Sequence, residues 1–144
     1  LMSTGKGFVK YNPTWGLDTF LTLDAQGNIL KPPNFPAFDP KVDWCGPENN
    51  PRLASMIPDE IMGVSVSIAG YRHDLGYATP KKLRRKWCKR QYVWRLLCDR
   101  RFRADIMALL GKSTLHKADL RMAKRFAQIY YWSVRFGGSK HCVR

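Results

Sequence analysis

A chain of 144 residues with 44% apolar content can build one domain with a real core, which excludes disorder throughout. No apolar run approaches the roughly 20 residues needed to cross a bilayer, and the first residues carry no apolar h-region, so no transmembrane helix and no secretory signal is expected. The net charge of +14 is unevenly placed: residues 1–60 hold five Lys/Arg against seven Asp/Glu, residues 61–144 twenty against four. That asymmetry calls for an anionic partner, either a negatively charged membrane, nucleic acid, or a capsid around nucleic acid.

Taken in order, residues 1–58 are rich in turn formers. Phe20-Leu21-Thr22-Leu23 and Ile29-Leu30 flank Asp24-Ala25-Gln26-Gly27-Asn28, the pattern of a short β-hairpin. Residues 31–40 carry Pro32, Pro33, Pro36 and Pro40, and are expected to be extended and irregular, pinned by Phe35 and Phe38. Residues 43–52 form a further turn-rich loop offering backbone carbonyls together with Asp43, Glu48, Asn49 and Asn50, the oxygen ligands that hard cations take.

Helix signals follow. Pro58-Asp59-Glu60 suits a first helical turn, and a helix is expected from about 59 to 77, stopped by Pro80. The β-branched run Val64, Val66, Ile68 leaves a strand as the alternative over its first part. A second helix is expected over 81–111, with Trp87, Trp94, Cys98, Phe102, Ile106 and Leu109 as its buried stripe and Gly111 at its stop. A third runs from about 115 to 136, with Leu120, Ala123, Ala127, Tyr130, Tyr131 and Val134 on its inner face, and 138–144 is a tail. The whole reads as a single, mainly α domain with an irregular N-terminal region.

The chemistry concentrates in Gly70-Tyr-Arg-His-Asp-Leu-Gly-Tyr77. On a helix His73 and Tyr77 share a face, and Asp74 points about a quarter-turn away, so a neutral-pH base and a hard-cation ligand can address one cavity. Asp99 lies on the inner side of the second helix and requires a partner there. If the first two helices pack antiparallel, Asp99 accepts from one ring nitrogen of His73 and leaves the other as a base; Asp105 is the alternative partner. The four cysteines, Cys45, Cys88, Cys98 and Cys142, contain no C-x-x-C pair, which leaves a zinc knuckle unsupported. They permit three disulfide pairings that spacing does not choose between, and reduced thiols, or at most one or two bridges, are expected.

The pattern His73-Asp74-x-x-Tyr77, followed by Asp99-Arg100-Arg101-Phe102-Arg103-Ala104-Asp105-Ile106, resembles the phospholipase A2 superfamily, most of all its short prokaryotic and parvoviral branches. Trp44-Cys45-Gly46-Pro47-Glu48-Asn49 stands where that family has its calcium loop, although the family's paired glycines are missing, and the cysteines that flank the motif in secreted animal enzymes are replaced by Gly70 and Gly76. Residues 129–137 also resemble small uncharacterised phage proteins with a similar helix. The resemblance implies a calcium-dependent esterase acting on glycerophospholipids at the sn-2 position. His73 would be the base, Asp99 its orienting partner and Tyr77 a hydrogen-bond donor to Asp99. Asp74, Glu48 and carbonyls near Cys45 and Gly46 would hold calcium. It further implies a monomer that is secreted or virion-associated.

The stretch Lys81–Arg103 holds eleven Lys/Arg and one Asp. It is expected to dock the protein on an anionic phospholipid surface, with Lys82, Arg85, Lys86 and Lys89 facing outward. A non-enzymatic basic module holding nucleic acid by its phosphates is the rival reading.

Overall fold

The computed structural model describes residues 13–14, 16–17, 60–79 and 90–137. The expected hairpin at 20–30, the loop at 43–52 with Cys45, Gly46 and Glu48, the start of the basic stretch at 81–89 and the tail at 138–144 lie outside the described residues.

The described chain begins with two short antiparallel strands, β1 (Glu60–Ile61) and β2 (Val64–Ser65), paired Glu60 to Ser65 and Ile61 to Val64. This corrects the expectation of a helix beginning at 59: Glu60 lies on a strand, not in a first helical turn. Met62 and Gly63 both take positive φ, 50° and 84°, as a two-residue hairpin loop of the primed kind requires. Ile61 and Val66 then point into the core while Glu60 and Ser65 stay exposed, and the β-branched run serves strand pairing instead of a helix.

Three helices follow: α1 (Ser67–Ala78), α2 (Gln91–Gly111) and α3 (Lys117–Gly137). α1 ends because Thr79 is extended, with φ −72° and ψ 118°, the conformation that a following proline imposes, and its hydroxyl donates to the Leu75 carbonyl at 2.8 Å. α2 stops at Gly111 as expected, but Arg90 is extended (φ −86°, ψ 126°) and the helix begins at Gln91, which corrects the expectation of one unbroken helix over 81–111; the Ser113 hydroxyl donates to the Leu110 carbonyl. α3 has Asp119 in its first turn and Arg135 in its last, matched to the two ends of the helix dipole.

The helices pack as successive antiparallel neighbours. From α1 to α2 the pairings run Arg72 to Asp105, His73 to Asp99, and Gly76 to Trp94, so one helix ascends as the other descends. From α2 to α3, Arg95 meets Arg135 and Arg103 meets Gln128. The apolar core gathers Ile61, Val66 and Ala69, then Phe102, Ile106 and Leu110, then Ala123, Ala127, Tyr130 and Val134. Each large apolar side chain taken out of water stabilises by roughly 1.5–3 kcal/mol. Ala123 and Ala127, both fully buried, bring little bulk to the α2–α3 seam, which allows close approach. On α2 the fully buried residue of the last turn is Leu110, with Leu109 only half-buried, one position on from the expected stripe.

Candidate functional site

His73, Tyr77 and Asp99 meet at the middle of the α1–α2 contact. His73 Nε2 lies 2.7 Å from Asp99 Oδ1, and the Tyr77 hydroxyl donates to the same oxygen at 2.5 Å. The opposite carboxylate oxygen, Oδ2, accepts from Arg135 Nη1 on α3 at 2.7 Å. Asp99 is completely buried, so a carboxylate there is tolerated only because every face of it meets a donor. Burial pushes the Asp99 carboxyl up, but the hydrogen bond and charge of His73, with Tyr77 and Arg135, more than reverse this and hold it below the ordinary aspartate value.

With Asp99 ionised, Nε2 of the imidazole must be the donor, which places the lone pair of the neutral ring on Nδ1. The ring is held by more than one bond. Its centroid lies 4.2 Å from that of Tyr77 and 4.8 Å from that of Phe102, one aromatic from each helix. Burial and the neighbouring Asp99 charge raise the Tyr77 phenol far above its usual range, although Arg95 opposes the rise, so Tyr77 acts as a neutral donor. Burial pulls the Arg135 guanidinium down, but Asp99 raises it further, so it remains a cation.

A second ionic cluster braces the same helix pair. Arg72, 1% exposed, directs Nη1 at both oxygens of Asp105, at 3.0 and 3.2 Å, and Arg101 Nε adds a bond at 3.1 Å. Asp105 is thus a partner of Arg72 and not of His73, and of the two carboxylates weighed for the histidine Asp99 is the one that meets it. Burial pushes the Asp105 carboxyl up to about 6, against the pull of Arg72 and Arg101.

Of the expected cation ligands only Asp74 falls among the described residues. It is half-buried and follows His73 directly on α1. A carboxylate there has the hard-oxygen chemistry that calcium takes, so Asp74 fits as one ligand, while Cys45, Gly46 and Glu48 lie outside the described residues. Among the described residues no group of three or more His, Cys, Asp or Glu gathers around one point. The Cys98 thiol is buried and forms no disulfide among the described residues.

Sequence reasoning missed Arg135 and Arg72. For Arg135 the one available signal was a cation in the last turn of a helix that had to pack on α2. Arg72 could have been suspected as an arginine beside His73 on a helix whose other positions are mostly apolar or small. The basic stretch also proves partly structural. Arg95 donates to the Arg135 carbonyl, Arg101 pairs with Asp105, and Arg103 donates to Gln128 and covers the Tyr131 ring at 4.0 Å.

No protein-family model, curated protein or solved structure matches the chain.

Proposed function

We propose that this chain is a calcium-dependent hydrolase of the phospholipase A2 kind, cleaving a glycerophospholipid ester at the sn-2 position. The supporting observation is the Asp99-oriented imidazole of His73, which presents Nδ1 as the basic nitrogen from a rigid helix pair. In this reading His73 Nδ1 takes a proton from a water as its oxygen attacks the ester carbonyl carbon. It later returns that proton to the departing glycerol oxygen, releasing the fatty acid. Asp99 stabilises the imidazolium between the two steps, and Tyr77 and Arg135 keep Asp99 ionised and immobile. Asp74, with Glu48 and carbonyls near Cys45 and Gly46, would hold calcium, which when bound polarises the ester carbonyl and stabilises the oxyanion.

The test is hydrolysis of phospholipid in mixed micelles, with calcium and with chelator. The wild-type chain should release fatty acid only with calcium. His73→Gln should lose at least ~10²-fold, the scale of general-base catalysis, with an unchanged circular dichroism spectrum. No turnover by the wild type, or wild-type turnover by the variant, overturns the proposal. The rival, a basic module holding nucleic acid, draws on the net charge of +14. It would gain from tight, salt-sensitive DNA or RNA binding by a chain that hydrolyses nothing.

A further inference from the structure

α3 carries two apolar stripes where a helix at the edge of a domain needs one. The inner stripe, Ala123, Ala127, Tyr130 and Val134, belongs to the core. The outer stripe, Met122, Phe126, Ile129, Trp132 and Phe136, recurs with the same spacing of three and four residues but is exposed. Trp132 is 49% exposed and Phe136 83%; their rings stack on each other at 5.8 Å, and Trp132 also meets the buried Tyr131 ring edge-on at 5.3 Å. Five large apolar side chains in register on one open face mark an interaction surface. The charges of the helix say which surface. α3 has five Lys/Arg against a single Asp. Arg125 lies three residues after Met122 and four before Ile129, within the stripe, while Arg121 and Lys124 are exposed beside it.

We infer that this outer face of α3 docks on an anionic lipid surface, with the aromatic and aliphatic side chains entering the headgroup–acyl boundary and Arg121, Lys124 and Arg125 contacting lipid phosphates. Cations beside a Trp- and Phe-bearing stripe are the chemistry of an interfacial helix lying in the membrane plane. A second copy of the chain is a poor occupant, because pairing this face with itself brings two strongly basic helices together. Nucleic acid is a poorer occupant, because its phosphates and bases would engage the cations and rings but leave the aliphatic Met122 and Ile129 uncovered, whereas the headgroup–acyl boundary covers the whole stripe. The surface differs from the one expected at Lys82, Arg85, Lys86 and Lys89. It stands independently of the ester-hydrolysis reading, because binding is measured without turnover.

The experiment is co-sedimentation of the full chain with phosphatidylglycerol-containing vesicles and with pure phosphatidylcholine vesicles at matched salt. Two double variants are compared with wild type, Trp132→Ser/Phe136→Ser and Arg121→Glu/Arg125→Glu. Wild type should bind the anionic vesicles at least tenfold more tightly than the neutral ones, and each variant should lose at least tenfold on the anionic vesicles. Vesicles carrying brominated acyl chains should quench wild-type tryptophan emission, and Trp132→Phe, which keeps an aromatic ring, should remove most of the quenched component. Absence of wild-type binding, or variants that bind as wild type does, overturns the inference. So does sedimentation velocity showing a dimer that Trp132→Ser/Phe136→Ser makes monomeric, because the face would then belong to a second copy.

Discussion

At the scale of single residues, the half of the chain beyond residue 60 holds only four acids, and three of them, Asp74, Asp99 and Asp105, lie on the two helices that form the site. Asp99 and Asp105 are both buried, yet they respond to pH in opposite senses. The folded-state value of Asp99 is depressed, so its contribution is present above the unfolded aspartate value of about 4 and is lost as pH falls through the folded value. The folded-state value of Asp105 is raised to about 6, so its contribution is full below about pH 4 and is lost as pH rises through 6. Urea unfolding at several pH values should separate them. The stability gap between wild type and Asp99→Asn should widen from pH 3 to 5 and then stay level. The gap between wild type and Asp105→Asn should narrow from pH 4 to 6. At pH 7, Asp99→Asn should still cost on the order of 3–5 kcal/mol, because it strips Arg135 and His73 of their shared counter-charge in a buried place. For Asp74, calorimetry should show calcium uptake by the wild-type chain that Asp74→Asn weakens with little effect on the melting temperature. Absence of uptake by wild type, with and without lipid, removes the cation from the proposed reaction.

Among the elements, the β1–β2 hairpin leads the chain into α1, and Trp94 ties the last turn of α1 to α2. The hairpin loop needs positive φ at both central residues, and Met62 adopts it at a cost that an asparagine would not incur. Met62→Asn should therefore raise the melting temperature, by a stabilisation of several tenths of a kcal/mol. Gly63→Ala should lower the unfolding free energy by roughly 1–2 kcal/mol, a backbone cost alone, since nothing lies within 4 Å of the added methyl. At the other end, Trp94 Nε1 donates to the Gly76 carbonyl at 2.8 Å, one residue from Tyr77. Trp94→Phe keeps the aromatic bulk but removes one of the two donors to that carbonyl, which keeps the Thr79 N–H at 3.2 Å, and a loss of about 0.5–1.5 kcal/mol in thermal unfolding is expected.

For the molecule as a whole, α3 connects the site to the outer apolar face. Arg135 binds Asp99, while its neighbours Trp132 and Phe136 are exposed. Among the described residues no helix is long and apolar enough to cross a membrane. Docking driven by Arg121, Lys124 and Arg125 should weaken steeply as salt rises, with the range of attraction falling to about 3 Å at 1 M ionic strength. The apolar contribution should survive that increase, so residual binding at high salt should depend on the apolar stripe, Trp132 and Phe136 included, and no longer on Arg121 and Arg125.

Local chemistry was enough for much of this. Spacing placed His73 and Tyr77 on one face of a helix, and apolar periodicity found α2 and α3 and most of their inner residues, because these depend on a turn of 3.6 residues and on the cost of exposing hydrocarbon. Proline after Thr79 and glycine at 111 located two helix ends for equally local reasons. Tertiary structure decided what depends on which faces meet. The run from Ile61 to Val66 satisfies a strand and a helix about equally in isolation, and the φ-positive pair Met62–Gly63 with the core below Ile61 tips it to a hairpin. Asp99 and Asp105 are both plausible partners for His73 until the antiparallel register assigns one to the histidine and the other to Arg72. Arg135 is 36 residues from Asp99, beyond any local pattern, and α3 must dock on α2 before that cation can complete the carboxylate. The outer stripe of α3 follows the same rule: periodicity shows two apolar rows on one helix, and only packing shows which row the core has taken.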